Sequence, residues 1–259
     1  MFVHIRRHLS VIALAVAASA CGSDSSTGPV IGQPITLGRA LAAINSPALA
    51  ASVGIAGGSG TVAPAIVPSQ CLYAAASQSF VCAPVTSAGL TFNQSFTLLN
   101  AAGTKQAAFD ESTTAAVRAN SAVAGTITTG GTTFGVDGQQ ELTLSGLLSG
   151  KHILDGTSTT HITGTLVDLE GQTPVPFTST IKTTITSLAV PVSTSGTQEW
   201  PASGTIVVEA STAVGPVTPA TTKITITFSG TSTATVSVVA PGISQTCKVN
   251  LASSAPTCG

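Results

Sequence analysis

From about Pro68 to the C-terminus, apolar residues recur at every second position with Thr or Ser between them. Leu90, Phe92, Phe96 and Leu98 alternate with Thr91, Asn93, Ser95 and Thr97, and Leu142 and Leu144 alternate with Glu141, Thr143 and Ser145. Ile224, Ile226 and Phe228 alternate with Lys223, Thr225 and Thr227, and Ala234, Val236 and Val238 with Thr233, Thr235 and Ser237. Successive side chains of a strand point to opposite faces, so each run builds one apolar face and one hydroxyl face. Threonine suits this arrangement because its β-branch favours a strand while its hydroxyl tolerates water.

The composition fits such a chain. Only 7% of the 259 residues are charged and 4% aromatic, while 43% are hydrophobic. An ordinary soluble domain is about a quarter charged, and here about 40 Thr and about 30 Ser fill those places. Apolar surface is abundant and charge too sparse to keep the chain open, so disorder is excluded. A formal net charge of −1 gives no field for gathering nucleic acid.

Turn signals separate the runs at Gly130-Gly131, Asp137-Gly138, Asp155-Gly156, Ser195-Gly196, Ser229-Gly230 and Pro241-Gly242. Asp-Gly and Ser-Gly between alternating runs predict tight hairpins. Few intervals could hold a crossover helix, which argues against parallel βαβ units. The expectation is an all-β fold, an antiparallel β-meander of about ten to twelve strands in sequential order. A sheet of that size must shield its edges, as a barrel, a half-barrel or a sandwich. Ahead of it, residues 36–54 predict a short helical segment: Thr36 as N-cap, Leu37, Ala40, Leu41 and Ile44 at helical spacing, Ser46-Pro47 opening a second turn and Gly54 stopping it.

Four cysteines give a geometric expectation. Cys71 and Cys82 have the same separation as Cys247 and Cys258. A hairpin that pairs Cys71 with Cys82 also sets Tyr73 opposite Phe80, so a disulfide and a cross-strand aromatic pair share one face. Pairing Cys247 with Cys258 sets Val249 opposite Pro256, which only an edge strand or a loop return accepts. Zinc is the rival use of these cysteines, but there is no close CxxC and no His partner.

The N-terminus reads as an export signal. Arg6 and Arg7 precede the apolar run Val11 to Ala20, too short to span a membrane, where about 20 apolar residues are needed. The run ends Ala18-Ser19-Ala20-Cys21, followed by the polar stretch Gly22-Ser23-Asp24-Ser25-Ser26-Thr27-Gly28-Pro29. This resembles the signal of bacterial lipoproteins, with Ala18 standing where that family usually has a larger aliphatic residue. The resemblance implies removal of residues 1–20, a thioether-linked diacylglycerol on Cys21, and residues 21–35 as a flexible tether. Gly22 after the cysteine implies the outer membrane. Ala18-x-Ala20 also satisfies the small-x-small rule of ordinary signal peptidase, which would give a secreted protein. Lipid on Cys21 leaves an even four cysteines, and export places them where disulfides persist. Loss of Arg6 and Arg7 leaves seven Lys/Arg against ten Asp/Glu, weakly acidic and unsuited to anionic polymers.

The search for chemistry is mostly negative, and no catalytic residue, metal site or cofactor is expected. No G-x-S-x-G elbow occurs, and Gly146-Leu147-Leu148-Ser149-Gly150-Lys151 is one residue short of a phosphate loop and reads as a hairpin turn. His152, His161 and Asp155 could face one another across an Asp155-Gly156 hairpin, although solvated strand positions explain them better. Asp168 and Glu170 read as a charged strand end entering a turn, and Trp200 as a core anchor. The T-x-T runs are too irregular for a repeated ice- or sugar-binding array.

The chain thus divides into a signal peptide (1–20), a lipidated tether (21–35) and one β-rich domain (36–259), with short helices at 36–54 and the meander at 68–259. The expected role is a non-enzymatic structural or binding module of the cell envelope. It would be anchored at the outer membrane through its lipid, with an envelope protein as partner. The alternative is a carrier of apolar ligands or lipid in the periplasm, since curled sheets with a helical lid have a similar order of elements.

Overall fold

The computed structural model describes residues 71–87, 89–129, 132–149, 151–167, 174–191, 200–251 and 256–258. The expected helical segment at 36–54, Cys21 and the tether, Asp168, Glu170 and Ser195-Gly196 lie outside the described residues. Among the described residues there are strands and no helices.

The strands are β1 (Cys71–Ala74), β2 (Ser79–Cys82), β3 (Val85–Ser87), β4 (Leu90–Asn100), β5 (Lys105–Gln106), β6 (Thr114–Thr129) and β7 (Thr132–Ser145). They continue as β8 (Lys151–Val167), β9 (Pro174–Pro191), β10 (Ser203–Val214), β11 (Ala220–Phe228), β12 (Thr233–Ala240), β13 (Ile243–Asn250) and β14 (Pro256–Cys258). All 14 belong to one antiparallel sheet, in the order β1-β2-β4-β6-β7-β8-β9-β10-β11-β12-β13-β14. The short β3 and β5 pair with β4 beside this path. The meander expected from the alternation is therefore present. Among the described residues, β1 and β14 each have a single neighbour along the path, so this ladder does not close as a barrel does.

Register carries the alternation across the sheet. Ile206, Ile226, Val236 and Cys247 follow one another on successive strands β10 to β13, all buried. Leu98, Val117, Leu144 and Leu154 do the same on β4, β6, β7 and β8. The intervening residues make the opposite face, rich in Thr and Ser. Thr205, Thr227 and Thr235 line up there, and Thr128 and Thr133 meet as a cross-strand hydroxyl pair at 2.9 Å.

The apolar face divides into three clusters. The largest runs from Leu144 on β7 to Val249 on β13. A second joins Cys71 and Cys82 to Phe96, Leu98 and Val117, and a third joins Leu90, Ile127 and Val136. Between the second and third, one register row carries Gln94, Ser121, Gln140, Ser158 and Thr183, a polar belt across five strands. Leu147, in the β7–β8 turn, packs against both the first and second clusters.

Two expected turns are strand interior instead. Asp137-Gly138 lies within β7 and Asp155-Gly156 within β8. Gly156 is required by close approach: a Cβ there would stand 2.4 Å from the Glu141 carbonyl oxygen and 2.6 Å from a Leu142 methyl. A glycine that lets a neighbouring side chain lie over the backbone has the same local sequence as a turn glycine. Pro241-Gly242 is a turn as expected, with Ala240 paired to Ile243 and Gly242 at φ 75°. Leu147 to Ser149 form a turn after β7, as the sequence predicts, and Gly150 lies outside the described residues.

The longest strand, β9, contains a bulge. Leu154 and Gly156 of β8 pair with Leu188 and Ile185, so Thr186 and Ser187 oppose the single residue Asp155. The shift also appears against β10. Ser187 has φ 47°, and its N–H donates to Asp155 Oδ1 at 2.6 Å. The extra residue resets the alternation, so that both Ile185 and Leu188 reach the buried face.

Candidate functional site

Both disulfides form as the spacing predicts. Cys71–Cys82 and Cys247–Cys258 have S–S distances of 2.02 and 2.10 Å. Tyr73 lies opposite Phe80, their rings edge-to-face with centroids 5.3 Å apart. Val249 lies opposite Pro256 on β14, which is an edge strand, as the proline requires. Each bridge staples the hairpin at one end of the strand path.

The histidines do not converge. Because Asp155-Gly156 is strand rather than turn, His152 and His161 lie on one strand nine positions apart and face opposite ways. His152, 3% exposed, points into the apolar face beside Leu154. His161 points out on the hydroxyl face, its Nδ1 3.0 Å from Thr180 Oγ1. Asp155 is occupied with the Ser187 amide. Trp200 is half-buried just ahead of β10 rather than in a core cluster. Among the described residues, no group of three His, Cys, Asp or Glu side chains comes together that could hold a metal.

What the sequence did not single out is a hollow on the hydroxyl face, roughly 840 Å³ and open to solvent. It spans β2, β4, β6, β7 and β8, and its lining includes Asn93, Asn120, Gln139, Glu141, Asp137 and His161. Register assembles it: Asn120 pairs with Ser95 and Glu141, Ala122 with Asn93 and Gln139, and Asp137 with His161. Glu141 also reaches Arg118 at 3.5 Å. These polar positions are scattered through about seventy residues of sequence, and only strand pairing gathers them.

One carboxylate is held in its ionised form by its surroundings. Asp110, in the turn between β5 and β6, accepts hydrogen bonds from the Ser112 hydroxyl at 2.6 Å and the Ser112 amide at 2.7 Å. These hold it below its ordinary value. Its neighbour Glu111 shares the turn, so neither belongs to a strand face.

No protein-family model, no curated protein and no solved structure matches this chain.

Proposed function

We propose that this protein is an exported lipoprotein of the cell envelope. Residues 1–20 direct export, Cys21 carries the lipid, residues 21–35 form the tether, and the β-sheet body is a non-enzymatic structural or binding module at the outer membrane. The observation that carries this reading is the pairing of the other cysteines. Of five cysteines, the four in the sheet bond to one another in two pairs, so Cys21 is the thiol left for acylation. Disulfides of this kind persist in oxidising compartments, which supports export. A diacylglycerol supplies two chains, the number that stable anchoring needs.

The body is read as non-enzymatic because its two histidines face opposite ways and Asp155 serves the β9 bulge. Leu98, Leu188 and Ile226 are fully buried among the protein's own side chains, which favours a structural or binding module over a carrier of apolar ligands.

Metabolic labelling with palmitate tests the anchor. The native protein takes up label and partitions into detergent, and Cys21→Ala abolishes both. An unlabelled protein free in the medium overturns the reading. Intact mass with and without reductant reports lipid and both disulfides together.

A further inference from the structure

Ala122 of β6 lines the hollow, and its methyl is shorter than the side chains of Asn93, Gln139 and Asn120 beside it. Asn93 and Gln139 stand beside it on β4 and β7, and Asn120 stands two residues before it on the same strand face. A short side chain with longer polar ones on three sides leaves a depression without any break in the ladder. The chain has only five asparagines, and two of them are among these three.

The three amides make no side-chain hydrogen bond to another described residue. Each offers a donor and an acceptor side by side. A sugar hydroxyl also donates and accepts, and neighbouring hydroxyls of a pyranose come in rows. Positions on adjacent strands are about 4.8 Å apart and alternate positions along a strand about 7 Å apart, spacings that suit the rows of a short oligosaccharide. The rim adds the second feature of a sugar, its apolar C–H face. Val81, 47% exposed, lines the hollow, and its cross-strand partner Leu72 is 76% exposed on the same side. Asp137 and Glu141 in the lining disfavour a polyanion by like-charge repulsion.

We propose that this hollow binds a neutral glycan, with sugar hydroxyls on the amides of Asn93, Asn120 and Gln139 and a C–H face against Val81. The proposal goes beyond the lipoprotein reading and holds whether or not Cys21 is acylated. Among the described residues no Phe, Tyr or Trp ring lines the hollow, so hydrogen bonds and aliphatic contact carry the binding, and affinity is about 1 mM per site. Many anchored copies on one surface would raise the effective affinity by multivalency.

Saturation-transfer NMR suits this range. The probes are maltohexaose, cellohexaose and the hexamer of N-acetylglucosamine, each at up to about 10 mM, with the full-length protein in a detergent that has no sugar head group. At least one probe receives saturation, strongest at ring C–H protons. Asn120→Ala combined with Gln139→Ala weakens its binding roughly tenfold, and Ala122→Leu, which fills the depression without removing a polar group, abolishes it. Thr227→Ala, on the same face outside the hollow, leaves it unchanged. Absence of transfer to all three probes overturns the proposal. So does binding that survives both hollow variants, or a preference for heparin over every neutral probe.

Discussion

At one edge of the sheet, Cys71 and Cys82 are both buried and pack with Phe96, Leu98 and Val117, and Tyr73 and Phe80 stack beside them. At the other edge, Cys247 is buried but Cys258 is exposed, and β14 is three residues long with a proline among them. The sequence separation is 11 in both cases. The loop-closure contribution of a disulfide depends mainly on that separation, so on this account alone the two bridges are equal. Their surroundings make them unequal. The first bridge is part of a core, while the second holds a strand that has little else to hold it.

Removing the first bridge is expected to have the largest effect. Cys71→Ala with Cys82→Ala loses about 3 kcal/mol of loop closure and leaves a small void in the cluster, about 3–4 kcal/mol in all. Urea unfolding measures this as a lower midpoint with a steeper slope, because the unfolded chain without the bridge exposes more surface. A loss under about 1 kcal/mol would mean that the aromatic pair and the β2–β4 ladder hold the hairpin without the bridge.

The middle of the sheet gives a reference with no covalent staple. Asp155→Ala removes the acceptor for the Ser187 amide in the β9 bulge and is expected to cost about 1–2 kcal/mol. The same unfolding experiment reads it, and hydrogen exchange rises most at Ser187. Unlike the cysteine variants, its effect is the same with and without reductant.

Cys247→Ala with Cys258→Ala is expected to cost less, about 1 kcal/mol globally, because β14 can detach while β13 remains paired to β12. Faster exchange at Thr257 and proteolytic release of the C-terminal residues report the detachment. Equal global losses at the two edges would break the comparison and show that separation alone decides.

The smallest effect belongs to the turn before β6. Asp110 has a lower value in the folded protein than its ordinary 3.8, so its ionised form is the one the fold stabilises. That contribution is complete above the ordinary value and is lost as pH falls through the lowered one. Acidification below about pH 3.8 therefore loosens the turn, seen as faster exchange at Ser112. Asp110→Asn removes the pH dependence while keeping an acceptor for Ser112.

Strand identity was legible in Leu90–Leu98, Ile224–Phe228 and Ala234–Val238 because side chains along a strand repeat every two residues, a purely local rule. The Tyr73–Phe80 pair was legible because a bridge between Cys71 and Cys82 leaves one register for the residues between. Asp155-Gly156 misled for the opposite reason. Nothing near it in sequence reveals that Leu142 and the Glu141 carbonyl of another strand press on that glycine. The bulge at Ser187 was illegible too, since an extra residue breaks the alternation just as the end of a strand would.

The sequence by itself determined the sheet, its two faces and the bridges at its ends, because these follow from side-chain period and from fixed separations within single hairpins. Tertiary structure alone decided where β9 bulges, which way each histidine faces, and that Asn93, Asn120 and Gln139 meet around Ala122. Those outcomes depend on how strands far apart in the chain come into register, and a one-residue shift between strands would change every neighbour in the row.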